Sequence, residues 1–411
     1  MFLKTVLDYR LRRILLLVGL FQLLGCVTQT VRTVDMAPPE ILVVPPSEEL
    51  LLDVGITVFD PNVPESFDEQ NELNIQPEIR RAESNYMAYV AKNLLQSTGN
   101  WGAVRVVPRL SHAVDLTVSA TILHSDGERL NLHVVASDAR GQVWFDSVYE
   151  TLASKYAYDV SIPRDIDPYQ ATYNQIANDL LGFRMGLTEE EILAIRTTAE
   201  MRFARDFATD AFEDYVIETT PGKYQIRRLP APDDPMLSRV RMIREREYLF
   251  IDTLDEYFSS FANEMFTPYQ NWRRATYSEA IAYREERNKA RARLLAGTAG
   301  IVAGVAAQTS DNNVTQYGGT LAIIGGAMMI KSGIAKRANA QLHIEVLREL
   351  GVSAEAEIMP HTIELENESI ALQGSVDEQY EELRRILRRI YRTEMGAGDP
   401  NATEESGIDA G

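Results

Sequence analysis

At 411 residues with 45% hydrophobic side chains, the chain is long enough for two or three cores. Its 60 acidic residues against 41 basic ones give a net charge of −19, which argues against a nucleic-acid partner because phosphate binding needs a basic surface. A single cysteine excludes an internal disulfide, so stability has to come from packing.

The chain opens with Lys4, Arg10, Arg12 and Arg13, followed by an apolar run from Ile14 to Leu24 broken only by Gly19 and Gln22. Eleven helical residues rise roughly 16 Å, well short of the ~30 Å hydrocarbon core of a bilayer. The pattern therefore predicts an export signal over 1–25 rather than a spanning helix. Leu23-Leu24-Gly25-Cys26 follows at once, and it resembles the lipobox of bacterial lipoproteins, with Leu24 where Ala, Ser or Thr is more usual. The resemblance implies cleavage after Gly25 and acylation of Cys26, the only cysteine. Each buried CH₂ contributes about 0.8 kcal/mol, so two or three acyl chains hold a protein firmly to lipid. Val27, rather than Asp, after the cysteine implies the outer membrane, with the chain on its periplasmic side. Residues 26–40 are polar, end in Pro38-Pro39 and suit a tether.

Residues 41–155 read as a compact α/β domain. The runs 41–45 and 54–59 are β-branched and bounded by Pro46 and Asp60-Pro61, as strands are. After Pro77, Ile79, Ala82, Tyr86, Val90 and Leu94 recur every three or four residues and predict one amphipathic helix closed by Gly99. Strands are expected over 103–108, 115–123, 128–138 and 141–150, turned at Ser125-Asp126-Gly127 and Asp138-Ala139-Arg140-Gly141. A strand, a helix crossing and a meander ending in Asp138-Ala139-Arg140-Gly141-Gln142-Val143-Trp144 resemble the periplasmic domains of the curli-export lipoprotein. The same order is found in the lipoprotein activators of penicillin-binding proteins and in the N-terminal domain of the Tol-system propeller protein. The resemblance carries no catalytic residue.

From 169 to 293 the pattern becomes helical. Thr188 and Glu191 form a capping box, and Ile192, Ile195, Met201, Phe203, Phe207, Phe212 and Tyr215 mark a buried stripe. The three prolines of 229–236 make a connection, after which Val240, Ile243, Tyr248, Ile251 and Leu254 predict another helix. Pro268 is expected to interrupt it before a polar helix over 276–293. The many Tyr and Phe side chains here read as core packing rather than a ligand box.

Residues 294–335 hold two Gly- and Ala-rich apolar runs joined by a polar turn. Gly297, Gly300 and Gly304 fall near one helix face, and Gly325 and Gly326 interrupt the second run. The segment resembles the glycine-zipper hairpins of small envelope lipoproteins, whose helix backbones approach closely. Arg291 and Arg293 precede it, and Lys331, Lys336 and Arg337 follow it. Fourteen residues rise only about 21 Å, and Asp311, Asn312 and Asn313 would be costly in hydrocarbon. Packing within the protein or against another subunit is therefore favoured over insertion. Residues 338–395 read as helix, β-hairpin (358–367 with 369–374) and a C-terminal helix opened by Ser375 and Glu378. Its apolar face is Val376, Tyr380, Leu383, Leu387 and Ile390. Arg384, Arg385, Arg388, Arg389 and Arg392 form the opposite, solvated side, expected to pair with Glu378, Glu381 and Glu382. Residues 396–411 are expected to be disordered. The fold class is α+β.

The five histidines, at 112, 124, 133, 343 and 361, show no metal-ligand spacing, although His124 and His133 could face each other across a hairpin. There is no G-x-S-x-G elbow and no phosphate loop, and acylation would consume the one thiol. No enzyme, metal or cofactor is expected. The expected role is a periplasm-facing lipoprotein, acting as a scaffold or accessory subunit of an envelope assembly or export system. Its partners would be lipid through Cys26, envelope proteins and a second copy of itself. The alternative is a membrane-active protein whose hairpin inserts and oligomerises.

Overall fold

A computed structural model describes residues 29–33, 37–73, 75–107, 113–154, 156–159, 163, 166–231, 233–308, 361–365, 368–372 and 376–394. The expected signal peptide, Cys26, the second Gly-rich run, the helix at 338–350, Ser375 and the C-terminal tail lie outside them. The fold is α+β. A six-stranded sheet contains β1 (Gln29–Thr33), β2 (Val54–Thr57), β3 (Val104–Val107), β4 (Leu116–Ser125), β5 (Arg129–Asp138) and β6 (Val143–Leu152). Their order across the sheet is β1-β6-β5-β4-β2-β3.

The β4-β5-β6 meander is antiparallel, as its turns require, with period-two burial along each strand. Leu116, Val118, Ala120 and Ile122 on β4, with Leu130, Leu132, Val134 and Ala136 on β5, supply its buried side. β2 is buried on both faces and pairs in parallel with β3 and β4, so β3 is an edge strand reached by a helical crossover. That crossover is α2 (Pro77–Ser97), preceded by the short α1 (Phe67–Leu73). α3 (Gln170–Met185) packs over β6 and β1, beside α2. α4 (Glu189–Phe207) starts at the expected capping box. There Thr188 Oγ1 accepts from Glu191 N, and Glu191 Oε2 accepts from Thr188 N. A single turn, α5 (Thr209–Phe212), follows.

Several boundaries differ from the sequence reading. Residues 41–45 form no strand: Val43 and Val44 are 98% and 79% exposed. Part of the presumed tether is the sixth strand instead, with β1 parallel to β6 and Gln29 opposite Ser147. Local composition favoured the β-branched 41–45 run, but the free edge of β6 pairs with whichever segment the chain delivers to it. Between α5 and the next helix lies a hairpin that the helical reading missed, β7 (Val216–Thr220) and β8 (Lys223–Ile226), turned at Pro221-Gly222. Most of its side chains are exposed, so it shows no apolar alternation. It is held by backbone contact with the 138–141 turn, where Tyr224 N donates to Arg140 O.

α6 (Pro235–Gln308) is one helix of 74 residues. Pro235 occupies its first turn and Asp234 Oδ1 accepts from Met236 N and Leu237 N, which caps it. The expected break at Pro268 does not occur. An internal proline costs about 3 kcal/mol, but Phe261, Met265, Tyr269 and Trp272 are buried on either side of it and hold the helix. α6 packs along α2 and β3. Further on, the expected C-terminal hairpin is formed by β9 (His361–Leu365) and β10 (Glu368–Leu372). The last helix is α7 (Val376–Glu394), which buries Tyr380, Leu383 and Leu387.

Candidate functional site

The sheet has two ends, and each carries a glycine turn in close contact with another element. At one end the β4–β5 turn places Gly127 at φ +81 against α6; a Cβ there would lie 2.8 Å from Arg273 O. At the other end the β5–β6 turn places Gly141 at φ +79, where a Cβ would lie 1.7 Å from Gly222 O. α6 runs from the Gly141 end to the Gly127 end. Arg244 and Tyr248 donate to Ala113 O, just before β4 begins. Lys92 pairs with Asp255, Tyr269 donates to Glu83, and Arg284 reaches Glu128 beyond the Gly127 turn. The helix then continues to Gln308, past the sheet.

Where α2, α3 and α6 converge there is a groove of about 710 Å³. Tyr89, Val90, Leu94 and Phe266 give it apolar walls, Asn174 and Gln170 stand at its rim, and Pro38-Pro39 border it. The border is tied down by amides: Asn174 Nδ2 donates to Ala37 O, Glu40 N donates to Asn178 Oδ1, and Asn100 Nδ2 donates to Glu40 O. Asp167 and Tyr86 also line this groove. Behind them lies Arg273, 1% exposed, whose Nη1 and Nη2 donate to the two Asp167 oxygens at 3.2 and 2.9 Å. The guanidinium sits 4.0 Å from the centre of the Tyr269 ring. Burial works against its charge, but the Asp167 carboxylate outweighs that and holds the Arg273 pKa well above its ordinary value. Beside it, Glu83 Oε1 accepts from Ser125 Oγ and Tyr269 Oη, both at 2.7 Å. Burial and the Asp167 charge push the Tyr86 hydroxyl up. With both oxygens engaged by Arg273, Asp167 is equipped to hold α6 in place rather than to move a proton. The apolar walls and amide rim suit a segment of peptide chain.

The Gly141 end is built on carboxylates that accept from backbone. Asp138 Oδ1 accepts from Arg140 N and Gln142 N, and Oδ2 from Trp144 Nε1. This explains the Asp and Trp of the sequence motif as a self-satisfying turn. Asp115 Oδ2 accepts from Asp53 N, and burial raises its pKa to about 6 against the lowering charge of Arg244.

Other sequence candidates separate. His124 and His133 do not face each other: His124 lies opposite Asn131 and contacts Asp126, while His133 lies opposite Thr121 and contacts Asp146. The partner of His124 lies two residues from His133 along β5, so the two side chains are not opposite each other. The Arg row of α7 is not wholly solvated. Arg384 is buried, stacks on Phe207 and reaches Asp206, whereas Arg385 pairs with Glu382 as expected. Gly297, Gly300 and Gly304 lie in the last turns of α6; Leu23, Leu24, Gly25, Cys26, Gly325 and Gly326 fall outside the described residues. Arg273 and Glu247 escaped the sequence reading, although both stand in phase with the apolar stripe of α6. Glu247 follows Ile243 by four residues, and Arg273 follows Tyr269 by four. Among the described residues, no helix is long and apolar enough to cross a membrane, and no group of three His, Cys, Asp or Glu side chains could hold a metal ion. Compared with protein-family models, with curated proteins and with solved structures, the chain matches none of them.

Proposed function

We propose that this chain is a lipoprotein held at the outer membrane through acylated Cys26, facing the periplasm, and that it acts as a non-catalytic scaffold or accessory subunit of an envelope assembly or export system. One observation carries the reading. β1 begins three residues after Cys26, opposite Ser147 midway along β6, and runs away from the Gly141 end, while α6 leaves the sheet at the opposite end. From Arg244 to Leu294 the helix rises about 75 Å, so an anchored chain would hold its Gly- and Ala-rich segment that far from its own bilayer. Such an arm suits contact with another envelope component. A photo-crosslinking side chain at Asn288, on the exposed side of the arm, should give a discrete adduct with an envelope protein in cells; its absence at several exposed arm positions overturns the reading.

A second reading, in which 294–335 enters a bilayer and oligomerises, draws on the basic residues flanking the segment. It meets a counter-argument in Ala290, which is buried and shares a face with Gly297 and Gly304 at seven-residue spacing, as a packed helix seam does. Gly300→Cys and Gly325→Cys labelling from lipid but not from water would favour insertion; the reverse favours packing.

A further inference from the structure

We propose that the Gly141 end of the body is a membrane-contact surface, with Val43 and Val44 as its apolar tip, resting on the bilayer that holds Cys26. The inference rests on acylation of Cys26 and adds how the body is oriented and what touches the lipid. Only Val27 and Thr28 separate Cys26 from Gln29. Three Cα-to-Cα steps reach about 11 Å at most, so the start of β1 must lie near the level of the headgroups. β1 is parallel to β6 and starts opposite Ser147, four residues or about 13 Å from the start of β6 beside the Gly141 turn. β1 runs away from that end, and the three-step link before it can span most of the gap, so this end of the sheet is the one brought to the surface.

Side chains at that end suit the neighbour. Val43 and Val44, 98% and 79% exposed, are the two most exposed large hydrophobics in the described residues. They are not a frayed loop. Leu42 N donates to Asn100 Oδ1 and Asn100 Nδ2 donates to Glu40 O, which fixes the segment at the C-terminal end of α2. Met185 at the end of α3 is 63% exposed, and Leu193 and Val143 are partly exposed at the same end. The Gly127 end also exposes Leu152 and Tyr156, so exposure alone does not choose between the ends; the two-residue link does. Charge sets the lipid class. Glu48, Glu49, Glu189 and Glu190 are exposed at the Gly141 end, which disfavours anionic headgroups and suits zwitterionic ones. Contact is then driven by apolar burial, at about 25 cal/mol per Å², and should be insensitive to salt.

The test uses full-length protein extracted from membranes and reconstituted in phosphatidylcholine vesicles. Mass spectrometry of the N-terminal peptide first establishes acylation. An environment-sensitive fluorophore is then placed at Val43→Cys, Met185→Cys, Leu152→Cys or Tyr156→Cys, all at exposed positions, and a quencher is carried on the lipid headgroup. Quenching at least twofold stronger at 43 and 185 than at 152 and 156, unchanged between low and high salt, is the expected result. An acylated protein whose probes at 43 and 185 stay unquenched, or whose four probes quench alike, overturns this inference and leaves the anchor intact. A peptide mass without acyl chains overturns both.

Discussion

The two glycine turns at opposite ends of the sheet do the same local job and differ in what they meet. Gly127 lies against the backbone of α6, next to a fully buried Arg273–Asp167 pair. Gly141 lies against the tip of the β7–β8 hairpin, whose strands are largely exposed, and its nearby carboxylates accept from backbone N–H groups. Both ends hold an ion pair and packed aromatic rings, Arg273–Asp167 with Tyr269 and Trp272 at one and Arg140–Asp138 with Trp144 and Phe183 at the other; they differ in that Arg273 is buried whereas Arg140 is partly exposed. The difference teaches where a charge pair is fully taken out of water: at the end from which the long helix departs.

That contrast can be broken from the Gly127 end first. Arg273→Met strands the Asp167 carboxylate in the core and should cost about 3–5 kcal/mol, read from the denaturant midpoint; Arg273→Met with Asp167→Leu should recover most of the loss, because the cost is the uncompensated charge. Parity of the single and double variants would disprove this account. Next, Gly127→Ala meets positive φ and an immobile helix backbone, with an expected loss of about 2–4 kcal/mol. Gly141→Ala carries the same φ penalty and a closer contact with backbone, so a similar loss of about 2–4 kcal/mol is expected, together with faster amide exchange in 216–226 as the β7–β8 hairpin is displaced.

A third prediction concerns pH. Asp115 has a folded pKa of about 6, above the unfolded value of about 3.9. The stability tied to its protonated form is therefore full below about pH 4 and is lost as the pH rises through about 6, a change of roughly 2–3 kcal/mol. Asp115→Asn, which can still accept from Asp53 N, should flatten the slope of stability between pH 4 and 6; an unchanged slope refutes the assignment. Smallest is Thr188→Ala, which removes one half of the α4 capping box and should cost about 1 kcal/mol by thermal melting.

Much of the body was legible in the sequence. The α2 stripe, the β4-β5-β6 meander, both glycine turns and the Thr188 cap follow from local chemistry: period, turn residues and capping side chains act within a few positions of each other. The candidate site was less legible. Arg273 and Glu247 occupy stripe positions where an apolar residue is expected, and only their partners explain them: Asp167 lies over a hundred residues earlier and Tyr380 over a hundred later. The continuity of α6 through Pro268 likewise depends on aromatic rings buried against other elements.

By itself, then, the amino-acid sequence determined the α+β class, the acidic character, the α2 helix with the β4-β5-β6 meander, and the lipobox-like Cys26. Tertiary structure alone decided that Gln29–Thr33 rather than 41–45 joins the sheet, and that Val43 and Val44 stand in the open. It also decided that α6 runs unbroken from one end of the sheet past the other. The reason is physical. Propensity and periodicity are worth tenths of a kcal/mol per residue, whereas burying an aromatic seam contributes several, and leaving half of a buried ion pair uncompensated costs several.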